Sequence, residues 1–208
     1  MSDTESDPAE LRAQVARLTG EVEKLRGFMR GVHSLSESLA EARHDAELHE
    51  LLSDVLETAC TTIRANDASL LVLDEDSNEL VFVLTRGSVP AESLAWRRIS
   101  VHEGVAGWVV KNRRSTVVNN PQADERFYSQ LDVELQFKTE SILAAPIIGD
   151  NRVLGVLEIL NKTDGELFNT YDEMMLGLLC RLSGELLYAL TRRSLPAANE
   201  PPPNTTAG

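Results

Sequence analysis

Apolar positions near the start of the chain fall at Leu11, Val15, Leu18, Val22, Leu25, Met29, Val32 and Leu39, with Ser36 in the same register. Steps alternating between four and three residues mark a coiled-coil seam about four heptads long. Leucine dominates one core register and Val or Met the other, which favours a parallel two-stranded coil. Glu21 and Arg26 then flank the seam and can pair across strands. Gly20, Gly27 and Gly31 each lower helix propensity by up to ~1 kcal/mol, so the coil needs help from the rest of the chain. The alternative is a single amphipathic helix packed on its own domain. Residues 9–43 are assigned to this helix, and the polar, acidic residues 1–8 to a disordered start.

Beyond the seam the period changes. Residues 45–64 place Leu48, Leu51, Leu52, Val55, Leu56, Ala59 and Ile63 on one helical face. Ala68 to Leu73 and Glu79 to Thr85 read as strands about the turn residues 74–78, a hairpin. A loop or short helix follows at 90–98, a short strand at 98–101, a helix at 105–111 and a strand at 115–118. Residues 121–136 read as short helical pieces and loops. Strands at 141–148 and 152–160 form a second hairpin about Gly149-Asp150-Asn151. A last helix begins near Tyr171, with Met175, Leu179, Leu182, Leu186 and Leu190 as its apolar face. Helix, strands, a variable middle, more strands and a closing helix predict an α+β fold: an antiparallel sheet with helices on one face and the terminal helices packed together. Residues 194–208 are rich in Pro, Asn, Ala and Thr and read as a disordered tail.

Composition narrows the function classes. The 208 residues carry a formal net charge of −13, which argues against nucleic acid and anionic membrane surfaces as partners. No run of about 18 apolar residues predicts a membrane span, and the N-terminus has no signal-peptide pattern, so a cytoplasmic protein is expected. Cys60 and Cys180 fall amid apolar neighbours in predicted helices and are expected to be buried, inert thiols. No metal-ligand spacing and no catalytic set is found, and neither a metal nor a cofactor is expected. Gly104-x-x-Gly107 lacks a dinucleotide fingerprint, yet a helix opening at Val105 offers free amides suited to a phosphate.

The densest signal lies late in the chain. Asn161-Lys162 ends an apolar strand, Phe168 follows, and Asp172-Glu173 opens the last helix. Thr170-x-x-Glu173 reads as a capping box, the two acids suit the positive helix end, and Lys162 is the natural partner of Asp172. Together with Arg126-Phe127-Tyr128, Asp132, Phe137-Lys138-Thr139, Ser141-Ile142-Leu143, Pro146-Ile147 and Leu154-Gly155-Val156-Leu157-Glu158, this stretch resembles a GAF domain. The likeness is to the cyclic-nucleotide-binding GAF domains of phosphodiesterases and bacterial adenylyl cyclases, and it covers roughly residues 48–190, within a domain assigned to 44–193.

That resemblance implies a closed pocket between the sheet and the middle segment. Ser69 would face the base, and the amides of Val105 and Ala106 would hold a cyclic phosphate. Tyr128, Asp132 and Thr139 would close over the ligand, and Glu158 would face it from the sheet. Thr85, Arg86 and Leu135 depart from the family's pattern at positions that bear on ligand selectivity. Asn161, Lys162, Phe168, Asp172 and Glu173 would lock the fold without gripping ligand. The expected function is a non-enzymatic sensor of cAMP, cGMP or another small molecule. It would dimerise through the coil and terminal helices and signal to a separate protein. The alternative is a ligand-free dimerisation scaffold in a signalling complex.

Overall fold

The computed structural model describes residues 12–17, 19–20, 45–163 and 165–194. The expected coil seam and both expected disordered ends lie almost wholly outside these residues. The two short described pieces near the start are helical, with Val15 exposed.

Six strands form one antiparallel sheet in the order β3-β2-β1-β6-β5-β4. They are β1 (Ala65–Asp74), β2 (Glu79–Arg86), β3 (Arg98–Ser100), β4 (Thr116–Val118), β5 (Ile142–Gly149) and β6 (Arg152–Lys162). Helix α1 (Asp45–Ile63) precedes the sheet and α5 (Thr170–Ser194) closes the chain. Between β2 and β5 lie α2 (Ala91–Leu94), α3 (Gly104–Asn112), a 3₁₀ turn (Pro121–Ala123) and α4 (Gln130–Leu135). The expected α+β sheet is therefore present, and α1 packs beside α5 as expected. The expectation of helices on one face is corrected: α1 and α5 cover one face, while α3, α4 and their loops cover the other.

Each face has its own core. Leu70, Leu143, Leu157 and Ile159 meet Val55, Ala59, Ile63, Leu176 and Leu179 on the α1–α5 side. Leu71, Leu80, Phe82, Ala144 and Val156 meet Val105, Ala106 and Val109 on the other. Strand β5 is buried at every residue, because both faces of this strand are covered. Its hairpin to β6 closes Gly149 opposite Arg152. Asp150 and Asn151 between them have φ of 48° and 58°, the left-handed pair of a type I′ turn.

Helix α5 lies unusually close to β5. A Cβ on Gly184 would stand 2.2 Å from the Ile148 carbonyl oxygen, and one on Gly149 would stand 2.2 Å from that of Gly184. Two facing glycines let the backbones touch. The buried face of α5 is Met175, Leu176, Leu179, Cys180, Ser183 and Leu187. Leu182, expected on that face, is 37% exposed. The tight Gly184 contact sets the helix rotation and turns Leu182 outward with Met174 and Leu178.

The cap of α5 also differs from expectation. Asn169 is the capping residue: its Oδ1 accepts the amides of Tyr171 at 2.9 Å and Asp172 at 3.1 Å. Asp172 reaches back to accept the Asn169 amide at 3.1 Å. The reciprocal box is thus Asn169-x-x-Asp172, one residue before the expected Thr170-x-x-Glu173. Glu173 is thereby free to accept the Ser115 hydroxyl at 3.1 Å.

Candidate functional site

A cavity of ≈ 100 Å³ lies between the sheet and the middle segment. Its floor follows from strand register. Thr85 stands opposite Ser69, Ser69 opposite Glu158, and Glu158 opposite Ala144. Directly opposed residues share a face, and neighbouring strands lie about 4.8 Å apart. Two hydroxyls and a carboxyl therefore cross the floor in one row, which the buried Ala144 continues beyond the cavity. Ser69 faces the cavity and is not an outward strand position.

The Glu158 carboxyl has no hydrogen-bond or ionic partner among the described residues. The residue is half-buried, exposed only where the cavity reaches it. Burial disfavours its charged form and pushes its pKa up to about 7.

At one wall, α3 points its N-terminus into the cavity, and Gly104, Val105 and Ala106 line it. Gly107 makes the first intrahelical bond, to the Glu103 carbonyl at 3.2 Å. The three preceding amides have no intrahelical acceptor, and Glu103 supplies no side-chain cap. These donors and the helix dipole suit an anionic group.

The roof is the segment around α4. Tyr128, Leu131, Asp132 and Leu135 line the cavity from it. Asp132 clamps the roof to the start of β5, accepting the Thr139 hydroxyl at 2.6 Å and its amide at 2.9 Å. Tyr128 donates to the Gln130 side chain at 2.6 Å. Arg126 anchors the roof's front edge. Its guanidinium grips Asp124 at 2.6 Å and lies 4.7 Å from the Trp108 ring centre, stapling the roof to α3. That contact holds the Asp124 carboxyl below its ordinary range.

Behind the pocket sits the lock. Lys162 Nζ is 2.9 Å from Asp172 Oδ2, with side-chain exposures of 0% and 1%. Asn161 has φ of 48°, a left-handed conformation that Asn tolerates well. Its Oδ1 accepts the amides of Glu140 at 2.8 Å and Ser141 at 3.1 Å, and its Nδ2 donates to the Lys138 carbonyl at 2.9 Å. Phe168 is buried in the α1–α5 core. The lock and the pocket thus share β6.

A family model described as GAF domain matches residues 47–186. The chain belongs to the GAF domain family. Among curated proteins it is 28% identical to a probable 3',5'-cyclic phosphodiesterase of Caenorhabditis elegans, over 62% of this chain and 19% of that protein. It is 26% identical to a dual 3',5'-cyclic-AMP and -GMP phosphodiesterase of Takifugu rubripes, over 76% of this chain and 19% of that one. The chain therefore spans about a fifth of the length of these relatives. Among solved structures, the GAF domain of a Coxiella burnetii phosphoenolpyruvate-protein phosphotransferase aligns at TM-score 0.67 and 20% identity, covering 82% of this chain and 98% of that one. A free methionine-R-sulfoxide reductase of Neisseria meningitidis aligns at TM-score 0.63 and 18% identity, covering 80% of this chain and 91% of that one. These two likenesses show the fold.

Within this GAF domain, Ser69, Thr85, Val105, Ala106, Tyr128, Asp132, Leu135, Thr139 and Glu158 all line one cavity. Arg86 reaches the cavity edge, but its guanidinium pairs with Glu57 on α1. The reason is alternation. Arg86 stands opposite Ala68, whose side chain is in the α1–α5 core, whereas Thr85 stands opposite Ser69. Cys60 and Cys180 are also buried on the α1–α5 side. Burial pushes the Cys60 thiol up to about 11 and raises that of Cys180 further.

Several lining residues were not singled out from the sequence: Asp67, Phe82 and Glu103. Phe127 and Phe137, quoted in the motifs that carry the resemblance but given no ligand role there, line it as well. Asn119 was also missed. Its amide donates to the Phe168 carbonyl at 2.9 Å and accepts the Phe168 amide at 3.0 Å, imitating a strand rung. No periodicity marks such a residue.

Proposed function

We propose that this GAF domain is a non-catalytic sensor that binds a cyclic nucleotide in the cavity above Glu158. One observation carries the reading: a carboxyl with no partner among the described residues shares a cavity with three helix-terminal amides that have no intrahelical acceptor. A cyclic nucleotide offers matching chemistry, an anionic phosphate for the amides and base or ribose donors for the carboxyl. The names of the curated relatives, cyclic-nucleotide phosphodiesterases, support the same class. Entry requires the α4 segment to lift, which breaks the Asp132–Thr139 clamp. Rebuilding that clamp over the ligand ties occupancy to the packing of β5 against α5. Output then passes through α1, α5 and the expected coil of a cytoplasmic homodimer to a separate signalling protein.

A ligand binding only the folded state raises stability by about 2.7 kcal/mol at a hundredfold excess over its dissociation constant. For a domain of this size that is a melting shift of roughly 5–10 °C. A thermal melt of the full chain with cAMP and with cGMP tests the reading. If millimolar concentrations of both leave the melting point unmoved, the sensor function fails.

A second reading, a ligand-free dimerisation scaffold, is favoured by one feature. Met174, Leu178 and Leu182 form an exposed apolar stripe along α5, at 60%, 46% and 37% exposure. Dimerisation without any nucleotide-induced shift would support it.

A further inference from the structure

We propose that Glu158 chooses between ligand edges, pairing with a different edge in each of its two protonation states. The inference rests on the cyclic-nucleotide reading and adds its selectivity rule. The two neighbours in the floor row, Ser69 and Thr85, are hydroxyls, which rotate to donate or accept and so discriminate poorly. Ala144, on the other side of Glu158, is buried outside the cavity. Base choice at the floor therefore falls to the carboxyl.

The chemistry of a carboxyl depends on its proton. Ionised, it offers two acceptors, the complement of two adjacent donors such as the N1–H and 2-amino group of guanine. Protonated, it offers one donor and one acceptor. That complements a ring nitrogen beside an exocyclic amine, as on adenine. A solvated glutamate is ionised throughout the neutral range and holds only the first pattern. Here burial brings both forms within reach near pH 7.

Other titratable groups line the same cavity. Asp67 comes from β1, Glu103 from the turn before α3, and Tyr128 and Asp132 from the roof. Strand β5 contributes no titratable group to the cavity. The one lining cation among the described residues, Arg86, is turned to Glu57. No positive side chain among the described residues holds Glu158 ionised, so the ligand's own edge decides. An edge with two donors draws the carboxylate form and releases a proton. An edge with an acceptor and a donor draws the acid form and takes a proton up.

The test is calorimetric titration of the full chain with cAMP and cGMP between roughly pH 5.5 and pH 8.5. The expected result is a preference for cGMP over cAMP that grows by about tenfold or more as pH rises. Glu158→Gln carries one donor and one acceptor at every pH. It should hold the low-pH ratio throughout. In the wild type, the buffer dependence of the binding enthalpy should show proton release with cGMP and uptake with cAMP. This measurement decides the matter even if the variant does not fold. Binding of either nucleotide with a pH-independent ratio and no proton exchange overturns the inference and leaves the cyclic-nucleotide reading standing. A pH-dependent ratio that survives in Glu158→Gln overturns it as well. No binding of either nucleotide at any pH overturns both.

Discussion

Removing one member of the Lys162–Asp172 pair strands the other in a dry interior. Nζ and Oδ2 lie 2.9 Å apart, and neither side chain is more than 1% exposed. An exposed pair would be worth only about 0–1 kcal/mol. Breaking a buried pair from one side costs about 3–5 kcal/mol, because the surviving charge has no water to return to. Lys162→Met keeps the apolar stem and removes the charge; Asp172→Asn keeps the shape. The second change should cost about 0.3–1 kcal/mol more, since Asp172 also faces the positive end of α5. Its Oδ2 additionally accepts the Asn169 amide. Each single variant thus loses a fifth or more of a typical domain's stability of about 5–15 kcal/mol. The double variant leaves no unpaired charge, so its loss should fall short of the sum by roughly 2–3 kcal/mol. Urea unfolding of the four proteins, followed by far-ultraviolet circular dichroism, yields the coupling. A coupling within about 0.5 kcal/mol of zero would refute the pairing argument. The stability of the lock would then have to come from Phe168 and the Asn169 cap.

Other consequences are equally direct. Glu158 has a folded-state pKa of about 7 against an ordinary 4.5. Ligand-free stability should therefore fall as pH rises through that window, by roughly 3 kcal/mol. Urea melts across pH should show this loss, and Glu158→Gln should flatten it; a wild type no less stable at pH 8 than at pH 5 contradicts the burial argument. Gly184→Ala should destabilise by about 1–3 kcal/mol, because the new methyl meets backbone and not a yielding side chain. A thermal melt checks it, and a gain in stability would mean that helix propensity, worth about 1 kcal/mol, outweighs the contact. Leu178→Asp with Met174→Asp should leave the fold intact and weaken self-association if the α5 stripe is a dimer seam. Light scattering reports the mass, and an unchanged dimer would remove the stripe from the interface.

Much of the fold was legible because its signals are local and repeated. The apolar face of α1 needed only a helical period: Leu51, Val55, Leu56, Ala59 and Ile63 are buried as spaced. The β5–β6 hairpin needed only turn chemistry, since Asp150 and Asn151 tolerate the left-handed backbone that a two-residue loop demands. The rotation of α5 was less accessible. Its sequence offers apolar residues on nearly every side, so periodicity alone does not choose between Leu182 and Leu176 as core. The choice is made by Gly184 against Ile148, a contact between segments 36 residues apart. The cap of α5 was misplaced for a related reason. Asn169 and Thr170 are both good caps, and the deciding factor is the Asp172 side chain, already held by Lys162.

The site was legible as a set of positions but not as a set of directions. Thr85 and Arg86 were weighed together as selectivity residues, yet consecutive strand residues face opposite sides. One belongs to the pocket and the other to α1. The same rule, broken once, explains the Asn-Lys pair. Glu158 and Leu160 point into the pocket side of β6, and Leu157 and Ile159 point to α5. Continued alternation would send Lys162 to the pocket side with Glu158, away from Asp172. The left-handed turn of the backbone at Asn161 reverses the parity and delivers the ammonium to the opposite face. The Asn amide meanwhile holds the start of β5, replacing the regular ladder that this turn interrupts. One residue thus lets a single strand form the pocket floor and end in the buried pair that fixes α5. A substitution at Asn161 should accordingly loosen lock and pocket together, whereas one at Thr85 should alter the pocket alone.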